Sequence, residues 1–230
     1  MNVCHNPAML WLLNKIKNEP ATGPMGDAQL KVYHAKNTRS LRIVWLLEEL
    51  GVPYDLQALE FGPALQSPDY VAINPLAQVP SVIDGDLVLH ESGAITQYIL
   101  AKYGNGRLEP AKDAPEYGQY LQWLHFAEAG FMPYLGAIAQ HAFIRPEDRR
   151  IPMVLAESQE KSIKIIGIID KALAGRTYIA GNEFTAADTM LGYDLLLGRM
   201  FGLWNAETAP NVAAWFERLE SRPAFQRAAA

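Results

Sequence analysis

From Leu30 onward the apolar positions fall first into short alternating runs and then into helical spacing. The segment "LKVYHA" predicts a short strand, and "SLRIVWLLEELG" places Leu41, Val44, Trp45, Leu47 and Leu50 on one helical face, with Gly51 as the C-terminal cap. "PYDLQAL" (Pro53 to Leu59) predicts a second strand. A β-α-β unit of this length calls for parallel pairing and a right-handed crossover. A short helix around Ser67 to Ile73 follows, then "PSVI" and "LVLH" separated by "DGD", which has the chemistry of a hairpin turn. "ESGAITQYILAKYG" predicts a third helix ending at Gly104.

This order, βαβ then ββα, describes a small mixed sheet with helices packed on it, expected to occupy residues 30–104. "GNGRLEPAKDAPE" supplies a linker, placed at residues 105–115. Beyond it, residues 116–230 read as long amphipathic helices punctuated by "RPED", "AGRTYIAGNEFT", "NAETAP" and "SRP". The expected fold class is therefore α/β followed by all-α. Residues 1–29, which include "NEPATGPMGD", read as a flexible leader.

Composition narrows the function. With 230 residues, half of them hydrophobic, the chain can bury one large core or two smaller ones. A formal charge of -5 gives no basic field for phosphate backbones, and no Lys/Arg cluster interleaves with aromatics, so nucleic acid is not an expected partner. The only cysteine is Cys4, which leaves no disulfide framework or thiolate metal cluster and fits a reducing, cytoplasmic setting. His125 and His141 form no recognisable metal set with the other histidines, so no metal is expected. "AMLWLL" falls well short of the roughly 20 residues of a spanning helix, so no membrane partner is expected.

The chemistry concentrates in "PLAQVPSVIDGDLVLHESGAI", Pro75 to Ile95. A cis Val79-Pro80 bond would turn the Val79 main chain outward, where its N–H and C=O can pair with an extended peptide as an added strand does. Ser92 stands at a helix start, where free N–H groups and the helix dipole favour a carboxylate. Glu91 beside it would repel that carboxylate unless the ligand also presents an ammonium group. A group bearing both an α-amino and an α-carboxylate satisfies the pair. Singly, each residue has an ordinary explanation: a helix cap, an acid in a first turn, a trans X-Pro bond. Their joint occurrence inside one strand-turn-strand-helix unit is what points to a ligand.

With "NPLAQVPSVIDGDLVLHESGAI" in place, the chain from about Leu30 to its C-terminus resembles the glutathione transferase family, bacterial and fungal type, whose N-terminal domain is thioredoxin-like. The resemblance implies that Val79 holds the cysteinyl backbone of glutathione, that Pro80 is cis, and that Glu91 and Ser92 hold the γ-glutamyl end. It places Gln78 toward the glycyl carboxylate. Thr185-Ala186-Ala187-Asp188 resembles the family's buried capping box, with Asp in place of the usual Glu or Gln and with Phe184 set to staple the helix through Thr189.

In the family, the group that stabilises the thiolate lies in the loop after the first strand, here "HAKNTRS". No cysteine occurs there. Thr38 stands where related sequences read serine, Asn37 fits if the loop slides by one residue, and Tyr33 matches the tyrosine-type spacing to Gly51. All three remain open, in that order. The resemblance implies a cytoplasmic homodimer that conjugates glutathione, its co-substrate, to a small hydrophobic electrophile. Tyr120, Trp123, Phe126, Phe131 and Tyr134 are candidates to line the electrophile's pocket. Reduction of peroxides or disulfides, and ligand binding without catalysis, are the alternatives.

Overall fold

The computed structural model describes residues 30–230; the expected leader and Cys4 lie outside the described residues. Strands β1 (Leu30–His34), β2 (Asp55–Ala58), β3 (Ser81–Asp84) and β4 (Leu87–Leu89) form one sheet in the order β2-β1-β3-β4. β1 pairs parallel with β2, Val32 opposite Leu56, and antiparallel with β3, Val32 opposite Val82. β3 and β4 form the expected hairpin, turning through Gly85 at φ 60°. Leu30, Val32 and Val82 are buried because the sheet is covered by helix α1 (Leu41–Leu50), which closes on Gly51 at φ 62°.

Helix α1 is buried nearly all round, Arg42 included. A helix apolar on every side must be covered on every side. The sheet covers one face, and α7 (Ala186–Met200) and α9 (Pro223–Ala229) cover others. Trp45 meets Phe225 edge-on at 4.9 Å. Ion pairs reinforce the seam: Arg222 grips both oxygens of Glu49 at 2.6 and 2.8 Å, and Arg227 meets Glu48 at 2.5 Å.

Helix α2 (Pro68–Ile73) is short and capped by Ser67, whose hydroxyl accepts from the Tyr70 N–H at 3.3 Å. Helix α3 (Ser92–Ile99) runs on as a π-helical turn to Gly104. After the connection come α4 (Tyr117–Phe126) and α5 (Met132–Ala139), separated by a second π-helical turn, Ala127–Phe131. The glycine in that turn lets the Phe126 ring lie against it: a Cβ on Gly130 would fall 2.5 Å from the ring, which would have to shift. Helices α6 (Pro152–Leu173) and α8 (Pro210–Glu220) complete the helical part. Among the described residues no helix is long and apolar enough to cross a membrane.

At the start of α7 the Asp188 carboxylate is fully buried and accepts from the N–H groups of Thr185 and Ile179, at 2.9 and 3.0 Å. Trp215 Nε1 adds a third bond at 2.9 Å. Phe184 packs against Trp45 and Tyr178 and lies under the Arg222 guanidinium at 3.7 Å. Removing the carboxylate would strand several buried donors at once. Asp188→Ala is therefore expected to cost about 3 to 5 kcal/mol, read as a fall in the urea-unfolding midpoint; a loss below about 1 kcal/mol would show that the box does not hold α7.

Candidate functional site

The loop before β3 and the junction of β4 with α3 face each other across a shallow groove. Gln78, Val79 and Pro80 line it from one side and His90, Glu91 and Ser92 from the other, together with Arg39, Asn74 and Leu76. The Val79-Pro80 bond is cis. The groove wall is fixed from behind: the Gln78 carbonyl accepts from Tyr70 Oη at 2.6 Å and from Asn74 Nδ2 at 2.7 Å. Tyr70 Oη also reaches Ser81 Oγ at 2.9 Å. Among the described residues no main-chain hydrogen bond uses the Val79 N–H or C=O. The Gln78 side chain is exposed and accepts from Arg39 at 2.8 Å, which ties the groove to the loop after β1.

Glu91 sits at φ 68° and ψ 111°, a conformation few non-glycine residues adopt, and makes no capping bond to α3. Its exposed side chain makes no hydrogen bond or ion pair among the described residues. Ser92 stands at the start of α3 and lines the groove. It is buried, its hydroxyl donates to Glu128 Oε1 at 2.8 Å, and it accepts from Arg42 at 3.0 Å.

Beneath the groove lies a buried ionic cluster. Arg42 donates to Ser92, Glu128 and Asp194 and to the Met190 carbonyl at 3.0 Å, and its guanidinium stands over the Tyr193 ring. Arg39 reaches the far oxygen of Glu128 at 3.5 Å. Burial pushes the Glu128 carboxyl up, but Arg42, Arg39 and Ser92 outweigh it and hold it below the usual carboxylate range. Asp194 is deeper: burial, with the Glu128 charge adding to it, pushes it up to about 8 against the pull of Arg42. One guanidinium serves two carboxylates unequally.

The loop Ala35 to Ser40 carries the remaining candidates. Thr38 is half-buried; its hydroxyl donates to the Ala35 carbonyl at 2.7 Å and stands 2.7 Å from Ser40 Oγ. Asn37 takes φ 60°, and its carbonyl accepts from Tyr193 Oη at 3.2 Å, so it shapes the loop. Tyr33 packs into the small apolar cluster of Ala35, Leu65, Tyr70 and Val79, its ring 5.3 Å from that of Tyr70. Behind Thr38, Ser40 Oγ lies 2.9 Å from His34 Nδ1. Burial, aided by Lys36, lowers the His34 pKa to about 4, so the ring is neutral through the physiological range.

The structure thus brings Gln78, Val79, Pro80, Glu91 and Ser92 to one groove, with Thr38 and Asn37 on the loop that Arg39 joins to it. Three of the aromatic candidates, Tyr120, Trp123 and Phe131, are core residues, whereas Phe126 and Tyr134 stay half-buried. Helical spacing could not separate these, since a core stripe and a pocket stripe look alike in sequence. Arg42, Glu128, Asp194, Asn74, His90, Ser40 and His34 escaped the sequence reading. The available signals were an arginine inside the apolar run "LRIVWLL" and a lone acid in "FAEAGF".

Two family models match the chain: "Glutathione S-transferase, N-terminal domain" over residues 28–101 and "Glutathione S-transferase, C-terminal domain" over residues 129–223. The chain is 31% identical over 210 residues to glutathione S-transferase 3 of Schizosaccharomyces pombe, covering 86% of each. It is 30% identical over 209 residues to glutathione S-transferase 3 of Zea mays, covering 88% of this chain and 94% of that one. Among solved structures, the theta class glutathione S-transferase of Xanthomonas axonopodis with glutathione bound superposes with TM-score 0.73 and 29% identity, covering 88% of this chain and 97% of that one.

The lowered His34 pKa has a measurable cost in acid. Between the unfolded value of about 6.5 and the folded value of about 4, the unfolded chain binds the extra proton. The stability contributed by neutral His34 is complete above about pH 6.5 and is lost as pH falls toward about 4, a total of roughly 3 kcal/mol. In His34→Asn this acid-dependent loss should vanish, leaving a smaller fall in urea midpoint between the two pH values. Equal pH slopes in parent and variant would contradict the assignment.

Proposed function

The chain belongs to the glutathione S-transferase family, and on that premise we propose that it binds glutathione, stabilises its thiolate and conjugates the sulfur to a small hydrophobic electrophile. The observation that carries this reading is the single groove in which Val79, Glu91 and Ser92 meet, one loop away from Thr38. There the Val79 main chain pairs with the cysteinyl backbone. Glu91 receives the γ-glutamyl ammonium, and the start of α3 at Ser92 receives its carboxylate. The Ser92 hydroxyl already bridges Arg42 and Glu128, so its part in ligand binding requires only that its one hydrogen turn. Gln78, held by Arg39, faces the glycyl end.

A free thiol with a pKa near about 8.5 is only a few per cent thiolate at neutral pH. Lowering it by about two units takes about 2.7 kcal/mol, within reach of one hydroxyl donor and a helix N-terminus. Thr38 is the donor in this reading, at the start of α1, with Asn37 second. The sulfur lone pair then forms the new C–S bond while the leaving group departs with its electron pair, and the thiol proton has already gone to solvent. Phe126 and Tyr134 are the aromatics left to face the electrophile. By family resemblance, the protein acts as a cytoplasmic homodimer.

The presence of Thr38 where serine is usual supports a second reading, reduction of peroxides or disulfides on the same bound thiolate. Turnover of an aryl halide with glutathione is expected. Turnover of a hydroperoxide alone would favour the reductase, and retention on immobilised glutathione without turnover of either would leave a binding protein. Glu91→Gln should weaken glutathione binding about tenfold, by calorimetry, without lowering the unfolding midpoint; unchanged affinity would remove Glu91 from the site.

A further inference from the structure

Ser40 occupies the N-cap of α1 and yet does not cap it. A serine there ordinarily accepts from the second or third helical N–H. Here the helix start is served by the main chain, Leu41 N–H donating to Thr38 O at 3.0 Å and Ile43 N–H to Ser40 O at 3.1 Å. The fully buried Ser40 hydroxyl turns back instead. It accepts from the Ala35 N–H at 3.2 Å and lies 2.7 Å from Thr38 Oγ1 and 2.9 Å from His34 Nδ1, with the Ala35 carbonyl more distant at 3.3 Å.

A hydroxyl has one hydrogen and two lone pairs. With one lone pair given to Ala35 N–H, Ser40 has one lone pair and one hydrogen to divide between Thr38 and His34. If His34 Nδ1 accepts, Ser40 donates to the ring, Thr38 donates to Ser40, and Thr38 has no hydrogen left for a ligand. If His34 Nδ1 carries the proton, the ring donates to Ser40, Ser40 donates to Thr38, and the Thr38 hydrogen can leave the Ala35 carbonyl for the sulfur. Because the Thr38 hydroxyl donates to the Ala35 carbonyl at 2.7 Å, it accepts from Ser40 and the second arrangement is the one in place; a thiolate, which only accepts, draws on that same Thr38 hydrogen.

We propose that His34 and Ser40 are positioning residues that aim the Thr38 hydroxyl at the glutathione sulfur through a one-way chain of hydrogen bonds, His34 to Ser40 to Thr38 to thiolate. The inference rests on the reading of Thr38 as the thiol's donor. No bond is made or broken along the chain, and the thiol proton leaves to solvent. The chain acts by polarisation, each donor strengthening the next where water is excluded. A neutral imidazole, which carries a single N–H, is required for the choice of tautomer to matter. Lys36, the charged group acting on the ring, adds to burial in keeping it neutral.

The test is the pKa of glutathione bound to the full chain, from the ultraviolet absorbance of its thiolate, with the affinity for S-methylglutathione as the control that has no thiol proton. Thr38→Ala should raise the thiol pKa by about one to two units. His34→Leu and Ser40→Ala should each raise it by about half a unit, and neither should add a shift in the Thr38→Ala background. His34→Asn keeps a donor near the Nδ1 position and should restore the parent value. S-methylglutathione should bind the His34 variants as it binds the parent. No shift in Thr38→Ala would overturn both the Thr38 reading and the chain behind it. A shift in Thr38→Ala with none in Ser40→Ala and His34→Leu would leave Thr38 standing and sink the chain. Equal weakening toward glutathione and S-methylglutathione would reduce His34 to a packing residue. Should His34→Leu fail to fold, Ser40→Ala and His34→Asn decide the question alone.

Discussion

A guanidinium that cannot lose its proton sits in the middle of this molecule. Arg42 has no exposed surface and lies on a helix whose other buried residues are Leu, Ile, Val and Trp. A buried charge is tolerable only if other groups come to it. Glu128, Asp194, Ser92 and the Met190 carbonyl all do, and they come from α3, α7 and the π-helical turn between α4 and α5. The sheet part and the helical part are thus held in one orientation by a group whose desolvation neither part could offset alone.

The same cluster meets the groove at Ser92, which belongs to both. Ser92 is fixed by Arg42 and Glu128, so the start of α3 is immobilised beside Glu91 and the cis Val79-Pro80 turn. Glu128 owes its position to the π-helical turn, where Gly130, lacking a Cβ, lets the Phe126 ring lie against it. Residues 86 positions apart along the chain, Arg42 and Glu128, therefore fix the start of α3.

A second polar assembly, smaller and neutral, supports the loop after β1. Where Arg42 collects charge, Ser40 collects hydroxyl, imidazole and amide groups around one oxygen. The two assemblies meet at the start of α1, through Ser40 and Arg42. Arg39 lies between them, bonding to Gln78 on one side and reaching Glu128 on the other.

The strand and helix order, the hairpin at Gly85, the cap at Gly51 and the Asp188 box were legible in the sequence because each depends on short-range periodicity or on backbone chemistry local to a few residues. Residues 75–95 were legible for the same reason: Val79, Pro80, Glu91 and Ser92 stand on adjoining elements of one hairpin and helix. The Arg42 cluster was not, since Glu128 and Asp194 carry no local mark that pairs them with an arginine on α1. The non-capping role of Ser40 was hidden too, because a serine at a helix start reads as a cap until the direction of its hydroxyl is known. By itself the sequence determined which segments form strands and helices and which short stretch lines one groove, both being matters of neighbouring residues. Only the tertiary structure decided which distant charges are buried together and which aromatics are core, because desolvation depends on what covers a group from every side.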